Sequence, residues 1–283
     1  MRLTTRSGRT IAVHDLGGVG PAILLCHATG FCGRAYEPLT RLLTASRRVW
    51  AVDLRGHGES PARDDDEFAW ASMVEDVLTA ARAVAAAVAQ ADGAPGAVHL
   101  AGHSMGGAIG LQTEADHPGT FASAYLYEPV IAPPDPPPAR SDLMATAARQ
   151  RREVFPSRAA ALARYAARPP LRDLTAGALA AYVEHGFEDL PDGTVRLRCR
   201  AEQEARFFEA SGRITWATVA RAAVPTLVAT GEMSDSELVP AAPGLAAALP
   251  DARHVSYGHL GHFGPLQDAV TVGRDILAHT EGR

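Results

Sequence analysis

Short apolar runs alternate with helical patterns along most of this 283-residue chain, and this alternation restricts its fold more than any other feature. The apolar runs are bounded by turn residues, as buried strands are, and the clearest are residues 22–26, 49–54, 97–102, 122–127 and 225–230. Further strands are expected at residues 253–257 and as an N-terminal pair at 3–6 and 10–14. Helical patterns occupy residues 36–45, 69–90, 105–116, 241–249 and 266–279. Strands and helices that alternate in this way form a mostly parallel sheet with helices on both faces, so the sequence predicts an α/β fold.

The alternation stops between residues 133 and 216. Residues 133–138 read PPDPPP, a stiff connector that cannot continue a strand. The helical patterns after it are rich in Arg and Ala, and no strand-like apolar run interrupts them. We therefore predict one α/β core, residues 1–132 and 217–283, with a helical cap, or lid, inserted at residues 133–216.

Composition argues against several classes of protein. Because 47% of the residues are hydrophobic, the chain can bury a core without a metal or disulfide. Its net charge of −5 argues against general nucleic-acid binding, and Arg149, Arg151 and Arg152 are expected on a solvated helix. The three cysteines are too few and too scattered for a disulfide framework or a zinc site. The sequence has neither the apolar core of a signal peptide nor a run of membrane-spanning length, so we expect a cytoplasmic protein.

A serine follows one of the predicted strands within a glycine-rich turn. Residues 102–106 read GHSMG, which fits G-x-S-x-G between a strand and a helix. A side chain at Gly102 or Gly106 would clash in such a sharp turn, and the N-terminus of the following helix favours negative charge beside Ser104. Ser104 is therefore a candidate nucleophile rather than a simple helix cap.

Acyl transfer by a serine requires two N–H donors that face the developing oxyanion. The first candidate is the amide of Met105, which directly follows the serine. The second is expected in the loop HATGF, residues 27–31, at the end of an earlier strand. Thr29 is the first choice there, and Ala28 and Phe31 are alternatives because the register of the loop is open. His27 is expected to organise this loop through hydrogen bonds.

The base is expected near the end of the chain, where two histidines compete. His262 stands in GHFGP, residues 261–265, between the last strand-like run and the last helix. A glycine before it and a helix start after it allow its ring to reach the edge of the sheet. His259 has no such surroundings and is expected at the surface. We therefore assign His262 as the general base.

Four motifs together resemble the serine-hydrolase branch of the α/β-hydrolase superfamily: HATGF, DLRGHGES (53–60), GHSMGG and GHFGP, in that order. The resemblance covers both core segments. It implies an eight-stranded sheet, an oxyanion hole and a variable cap at the position of the insertion. By the same resemblance, His57 has a structural role and His103 points away from the nucleophile. Haloalkane dehalogenases and epoxide hydrolases carry aspartate where this chain has Ser104, so ester-type chemistry is favoured.

The chain departs from the family at the acid. Most members carry Asp after the seventh strand in a pattern like G-x-x-D, but residues 231–235 read GEMSD, with Ser234 at the expected place and Asp235 one residue late. Glu128 instead ends the sixth strand, an arrangement that resembles some dehalogenases and zearalenone-type lactone hydrolases. Pro129 after it prevents a helix and keeps the chain extended. We predict Glu128 as the acid, with Asp235 as the alternative.

This set of residues predicts a hydrolase that cleaves a carboxylic ester or lactone through an acyl-enzyme. A C–C bond hydrolase, a thioesterase, or a cyclase or lyase would use the same triad, and a non-catalytic ligand receptor would keep the pocket without turnover. No phosphate-binding loop or metal-spaced histidine pair is present in the sequence, so neither cofactor nor metal is expected. The expected partner is a small-molecule substrate rather than nucleic acid or a membrane, and a homodimer stays open. Candidate substrate contacts are Phe31, Met105, Phe187 and Trp216, with Phe207 and Phe208 as further apolar residues of the cap.

Overall fold

The computed structural model describes residues 1–63, 68–93, 96–137, 140–211 and 213–281. The strands in these residues are β1 (Arg2–Thr4), β2 (Thr10–Asp15), β3 (Ala22–Cys26), β4 (Arg48–Asp53), β5 (Val98–His103), β6 (Ser123–Tyr127), β7 (Val154–Phe155), β8 (Phe187–Asp189), β9 (Val195–Leu197), β10 (Thr226–Gly231) and β11 (Ala252–Tyr257). The α-helices are α1 (Glu37–Leu43), α2 (Val74–Asp92), α3 (Met105–Asp116), α4 (Ser141–Arg149), α5 (Arg158–Ala166), α6 (Ala176–His185), α7 (Ala201–Glu209), α8 (Trp216–Val219), α9 (Ala242–Ala248), α10 (Gly264–Gln267) and α11 (Ala269–Thr280).

Eight of the strands form the main sheet in the order β1-β2-β4-β3-β5-β6-β10-β11. Strand β2 is antiparallel to both β1 and β4, and the remaining neighbours are parallel. The prediction of a mostly parallel, eight-stranded sheet is therefore confirmed. The observed strand ends differ from the predicted ones by no more than two residues.

Both faces of the sheet are buried, as strand β3 illustrates. Its side chains at Leu24 and Cys26 belong to one hydrophobic cluster, which also contains residues of α2 and α3. Ile23 and Leu25, which point to the other face, belong to a second cluster with residues of α1 and α11. Side chains alternate between the two faces of a strand, so a strand covered by helices on both sides must be apolar throughout. This requirement explains why the central strands appear in the sequence as continuous apolar runs.

The segment from residue 133 to residue 216, called the insertion below, contains strands as well as helices. Helices α4 to α7 lie within it, and β7, β9 and β8 form a small antiparallel sheet in that order. The expectation of a purely helical insertion therefore missed three strands. Each has only two or three residues, and charged residues such as Glu188 and Arg196 are paired across the sheet, so no apolar run marks these strands in the sequence.

The three cysteines have a structural role rather than a reactive one. All three cysteines are free and buried, and burial raises the pKa of the Cys26 thiol to about 12. Since the thiolate is the reactive form, this thiol is chemically inert at neutral pH.

No helix within the described ranges combines the length and the apolar character needed to cross a bilayer.

Helix α3 approaches the main sheet closely at the turn that follows β5. A Cβ on Gly102 would lie 2.5 Å from the Cα of Gly107. A Cβ on Gly106 would lie 2.6 Å from the carbonyl oxygen of His27 and would also meet the carbonyl of Cys26, which ends β3. Only glycine fits at these two positions, because the obstacles are backbone atoms that cannot rotate away.

We expect Gly106→Ala to lower the free energy of unfolding by about 1–3 kcal/mol, the usual cost of extra volume in a packed interior. Gly177 is a matched control in α6, since a Cβ there would contact only Pro38, at 3.4 Å. Gly177→Ala should stabilise its helix by about 0.5–1 kcal/mol. Urea unfolding followed by circular dichroism measures both. Equal effects of the two substitutions would contradict the close approach of α3 to β3.

Candidate active site

Ser104 lies between β5 and α3 in a strained backbone conformation. Its φ is +52° and its ψ is −116°, a region that residues with a side chain rarely adopt. The amide N–H of Ser104 donates to the carbonyl of Tyr127, at 2.9 Å, and its own carbonyl accepts from Ala108, at 3.1 Å. These bonds hold the turn and leave the hydroxyl at the N-terminus of α3, on a residue that is 7% exposed.

Ser104, His262 and Glu128 form a continuous hydrogen-bonded chain. The Nδ1 of His262 lies 2.6 Å from the Oε2 of Glu128, and the Nε2 lies 3.1 Å from the Oγ of Ser104. A carboxylate accepts hydrogen bonds, so the proton of a neutral His262 ring resides on Nδ1, and Nε2 is free to accept from the Ser104 hydroxyl. The structure thus brings together the three residues that the sequence predicted.

Glu128 is fixed at the end of β6 by contacts to the neighbouring strand β10. Its backbone has a φ of +43°, so the chain is not extended here as the proline at the next position suggested, and the residue is 4% exposed. The amide of Gly231 donates to Oε1 at 3.0 Å, and the hydroxyl of Ser234 donates to Oε2 at 2.8 Å. Together with His262, these donors hold the carboxylate in one orientation. Ser234, which stands where the family pattern places its aspartate, therefore supports the acid that replaces it.

The two residues that competed for these positions lie at the surface. The side chain of Asp235 is 88% exposed and pairs with Arg140, at 3.4 Å. The side chain of His259 is 61% exposed and pairs with Asp268, at 3.0 Å. The structure brings neither of them to the Ser104 hydroxyl.

Two backbone amides are the candidates to bind an oxyanion. Met105 is the first residue of α3, so its N–H has no acceptor within the helix. Among the described residues, none accepts a hydrogen bond from the amide of Thr29. The Thr29 hydroxyl lies 3.3 Å from the Sδ of Met105, which places the two residues side by side.

The alternative donors in the same loop are already engaged. The amide of Ala28 donates to the hydroxyl of Tyr36 at 3.1 Å, and the amide of Phe31 donates to the carbonyl of Ala28 at 3.1 Å. The geometry therefore favours Thr29 over Ala28 and Phe31.

Two buried histidines hold the oxyanion loop in place. The Nε2 of His57 accepts from the amide of Gly30, and its Nδ1–H donates to the carbonyl of Arg55, both at 3.0 Å. The Nε2 of His27 accepts from the amide of Leu54 at 3.0 Å. Burial, together with neighbouring His27, lowers the pKa of His57 to about 3, and burial also lowers the pKa of His27. Both rings are thus neutral acceptors with structural roles.

A third buried histidine, His103, links Tyr36 to the loop that carries His262. Its Nδ1 accepts from the hydroxyl of Tyr36 at 2.7 Å, and its Nε2–H donates to the carbonyl of His262 at 2.8 Å. Burial lowers the pKa of His103 well below its usual value. Because Tyr36 also accepts from Ala28, a single chain of hydrogen bonds joins the oxyanion loop to the His262 loop. Sequence reasoning did not identify Tyr36, since it lies in an ordinary helical pattern without a motif.

A cavity of about 490 Å³ lies between the oxyanion loop and the insertion. Thr29 and Phe263, which adjoin the reacting groups, are part of its wall, whereas Ser104 itself is not. Further lining side chains include Phe31, Met144, Leu171, Tyr182 and Phe208. A substrate in this cavity would thus contact loops that follow β3 and β11 as well as the insertion.

Of the side chains predicted to contact substrate, Phe31 and Phe208 line this cavity, but Met105, Phe187, Phe207 and Trp216 do not. Met105 and Phe187 are both fully buried, and Phe187 packs against aromatic rings inside the insertion. Trp216 borders a separate small pocket, which Glu128 also lines. The sequence did not show that Phe187, Phe207 and Trp216 lie away from this cavity, because the face of an aromatic residue that meets a cavity depends on partners distant in the chain.

We predict that Glu128→Gln lowers kcat by about 10⁴-fold, because a neutral amide cannot fix the same tautomer of His262 or stabilise its cationic form. The control is Asp235→Asn, which should change kcat less than about threefold, as its exposed carboxylate pairs with the surface residue Arg140. Steady-state hydrolysis of a chromogenic ester measures both variants. A larger loss at Asp235 would overturn the assignment of the acid.

Comparisons with known proteins agree with this architecture. A family model described as "Alpha/beta hydrolase family" matches residues 23–274. The protein named "Putative carbamate hydrolase RutD" from Variovorax paradoxus is 32% identical over 270 residues, covering 91% of each chain. The crystal structure of E-2-(acetamidomethylene)succinate hydrolase aligns with a TM-score of 0.79 at 22% identity, over 99% of this chain and 97% of that one. The thioesterase domain of the curacin biosynthetic pathway aligns with a TM-score of 0.76 at 19% identity, over 98% of each. This chain is therefore a hydrolase that belongs to the alpha/beta hydrolase family.

Proposed function

We propose that the chain is a serine hydrolase that cleaves a carboxylic ester or lactone through an acyl-enzyme. The observation that carries this proposal is the hydrogen-bonded chain from Ser104 through His262 to Glu128, with distances of 3.1 Å and 2.6 Å. A nucleophile, a base and an orienting acid within hydrogen-bond reach are the arrangement that activates a serine hydroxyl.

In the first half-reaction, Oγ of Ser104 attacks the substrate carbonyl while Nε2 of His262 accepts the hydroxyl proton. The carbonyl oxygen becomes an oxyanion, which the amides of Met105 and Thr29 bind. The positive charge that forms on His262 is stabilised by Glu128. When the tetrahedral intermediate collapses, the C–O bond to the leaving alcohol breaks, and His262 gives its proton to that alcohol.

In the second half-reaction, water replaces the alcohol. His262 accepts a proton from water, whose oxygen attacks the acyl carbon, and the same two amides bind the second oxyanion. The bond between the acyl group and Ser104 then breaks, and the proton returns to Oγ. The sum is one ester and one water converted to one acid and one alcohol, or one lactone and one water converted to a hydroxy acid.

We also propose that the insertion acts as a cap that sets substrate choice. The cavity beside the oxyanion loop supports this role, because much of its wall comes from α4 to α7 and the segments between them. Glu204 of α7 approaches the oxyanion loop, since a Cβ on Gly30 would lie 3.1 Å from its carboxyl carbon. A change in the insertion would therefore alter the space next to the reacting carbonyl.

Hydrolysis of a C–N bond is the second candidate function. The relative from Variovorax paradoxus carries the name of a carbamate hydrolase, and its identity of 32% extends over 91% of this chain. The same three residues would act on a carbamate or amide, with an amine as the leaving group that receives the proton from His262. Only the leaving group differs, so a substrate panel distinguishes the two functions.

We predict that Ser104→Ala lowers kcat by about 10⁵-fold or more on the preferred substrate class, because nothing else in the site supplies the attacking oxygen. The panel contains a p-nitrophenyl ester, a lactone, a carbamate and an anilide. The control is Ser46→Ala, at an exposed serine remote in sequence from the triad. Turnover of the ester or lactone that depends on Ser104 supports the proposal. Turnover confined to the carbamate or anilide would favour the second function, and an active Ser104→Ala enzyme would contradict both.

A further inference from the structure

We infer that the substrate carries a compact anionic group, such as a carboxylate, in addition to its scissile bond, and that Arg164 and Arg168 bind this group. This inference rests on the proposed hydrolase function, because it assigns the substrate class of that same cavity. It depends on charge, on unpaired side chains and on the apolar lining of the cavity.

The wall of the cavity carries a surplus of positive charge. Among the residues that the structure describes, its lining includes four arginines, Arg151, Arg152, Arg164 and Arg168, and a single carboxylate, that of Glu204. The four positive charges and one negative charge of these described residues leave a balance of +3, in a chain whose overall net charge is −5. A concave site lined by one sign of charge concentrates ligands of the opposite sign.

The carboxylate of Glu204 is already neutralised. Glu204 forms an ion pair with Arg151, whose guanidinium also donates to the hydroxyl of Tyr182 at 2.6 Å. The side chain of Glu204 is 8% exposed, so this pair belongs to the packed wall rather than to the open space. The pair of Arg151 and Glu204 has no net charge, so the surplus of positive charge comes from the other arginines of the wall. Arg151 is also not the solvated residue that the sequence suggested.

Arg164 and Arg168 are the arginines available to a ligand. Within the described residues, neither side chain has a hydrogen bond or an ion pair. Other arginines of the insertion are paired with carboxylates, for example Arg158 with Asp189 and Arg196 with Glu188.

The helix dipole explains the position of Arg164 without a ligand, but it does not explain the position of Arg168. Arg164 lies in the last turn of α5, where a cation is favoured by the helix dipole. Arg168 lies beyond the end of that helix, and both residues line the same cavity. A guanidinium presents paired N–H groups that match a carboxylate, so two of them at one cavity suit a compact oxyanion.

The remaining lining defines the rest of the ligand. Phe31, Leu171, Phe208 and Phe263 supply apolar surface in the same cavity, and Thr29 provides the contact with the reacting centre. A ligand that satisfies all of these groups has its carbonyl at Thr29, an apolar body along the aromatic side chains, and its anionic end at Arg164 and Arg168. Half-esters of dicarboxylic acids have this composition.

The test compares two chromogenic esters of equal chain length, the p-nitrophenyl half-ester of glutaric acid and p-nitrophenyl pentanoate. We expect the wild-type kcat/KM to be at least about tenfold higher for the half-ester. A hydrogen bond to a charged group contributes enough binding free energy to change kcat/KM by about this factor or more. The double variant Arg164→Gln/Arg168→Gln should reduce the ratio of the two kcat/KM values by about tenfold or more. Arg172→Gln is the matched control, because this exposed arginine of the insertion pairs with Asp173 and does not line the cavity. It should leave the ratio unchanged.

A binding measurement separates this inference from the proposed function. In the Ser104→Ala variant, calorimetric titration compares 4-phenylbutyrate with 4-phenylbutanol. Tighter binding of the acid that is lost in the double arginine variant supports the anion site, even if neither ester is hydrolysed and the proposed function fails. Equal kcat/KM for the two esters, or equal binding of acid and alcohol, would overturn the inference and leave the hydrolase proposal standing.

Discussion

The hydrogen bond between His262 and Glu128 joins loops that follow two different strands of the sheet, and the arrangement of the site depends on it. Glu128 follows β6, and His262 follows β11, which is separated from β6 by β10. The carboxylate must therefore reach past the end of β10. It does so with support from that strand, because Gly231 and Ser234 both donate to it. A glutamate, with one more methylene than aspartate, is suited to this greater distance.

Two buried histidines, His57 and His103, also hold the reacting groups in place, and neither of them changes its charge near neutral pH. His57 holds the oxyanion loop, and His103 connects Tyr36 to the carbonyl of His262. Burial lowers the pKa of both rings, so neither becomes charged when the solution is near neutral. These histidines thus act as fixed hydrogen-bond donors and acceptors. This is why His27, His57 and His103, which lie within the motifs, hold the loops of the site in place and do not act as acids or bases.

The sequence was sufficient for the sheet because β3 and its neighbours must be apolar on both faces, which makes them visible as local runs. It was also sufficient to propose Ser104, His262 and Glu128, since each follows a recognisable strand. It was insufficient where partners are distant in the chain. The choice of Thr29 over Ala28 depends on Tyr36, and the burial of Phe187 depends on a small sheet whose strands carry no apolar run.

The catalytic role of the triad requires Ser104 to be the one activated serine of the chain. A fluorophosphonate phosphonylates a serine only when a neighbouring base activates it, so incubation with this reagent, followed by intact mass spectrometry and peptide mapping, identifies the activated residue. We expect a single adduct, located on Ser104, whose formation slows when His262 is replaced by Gln. An adduct on a different serine, or no adduct on the folded protein, would contradict this assignment.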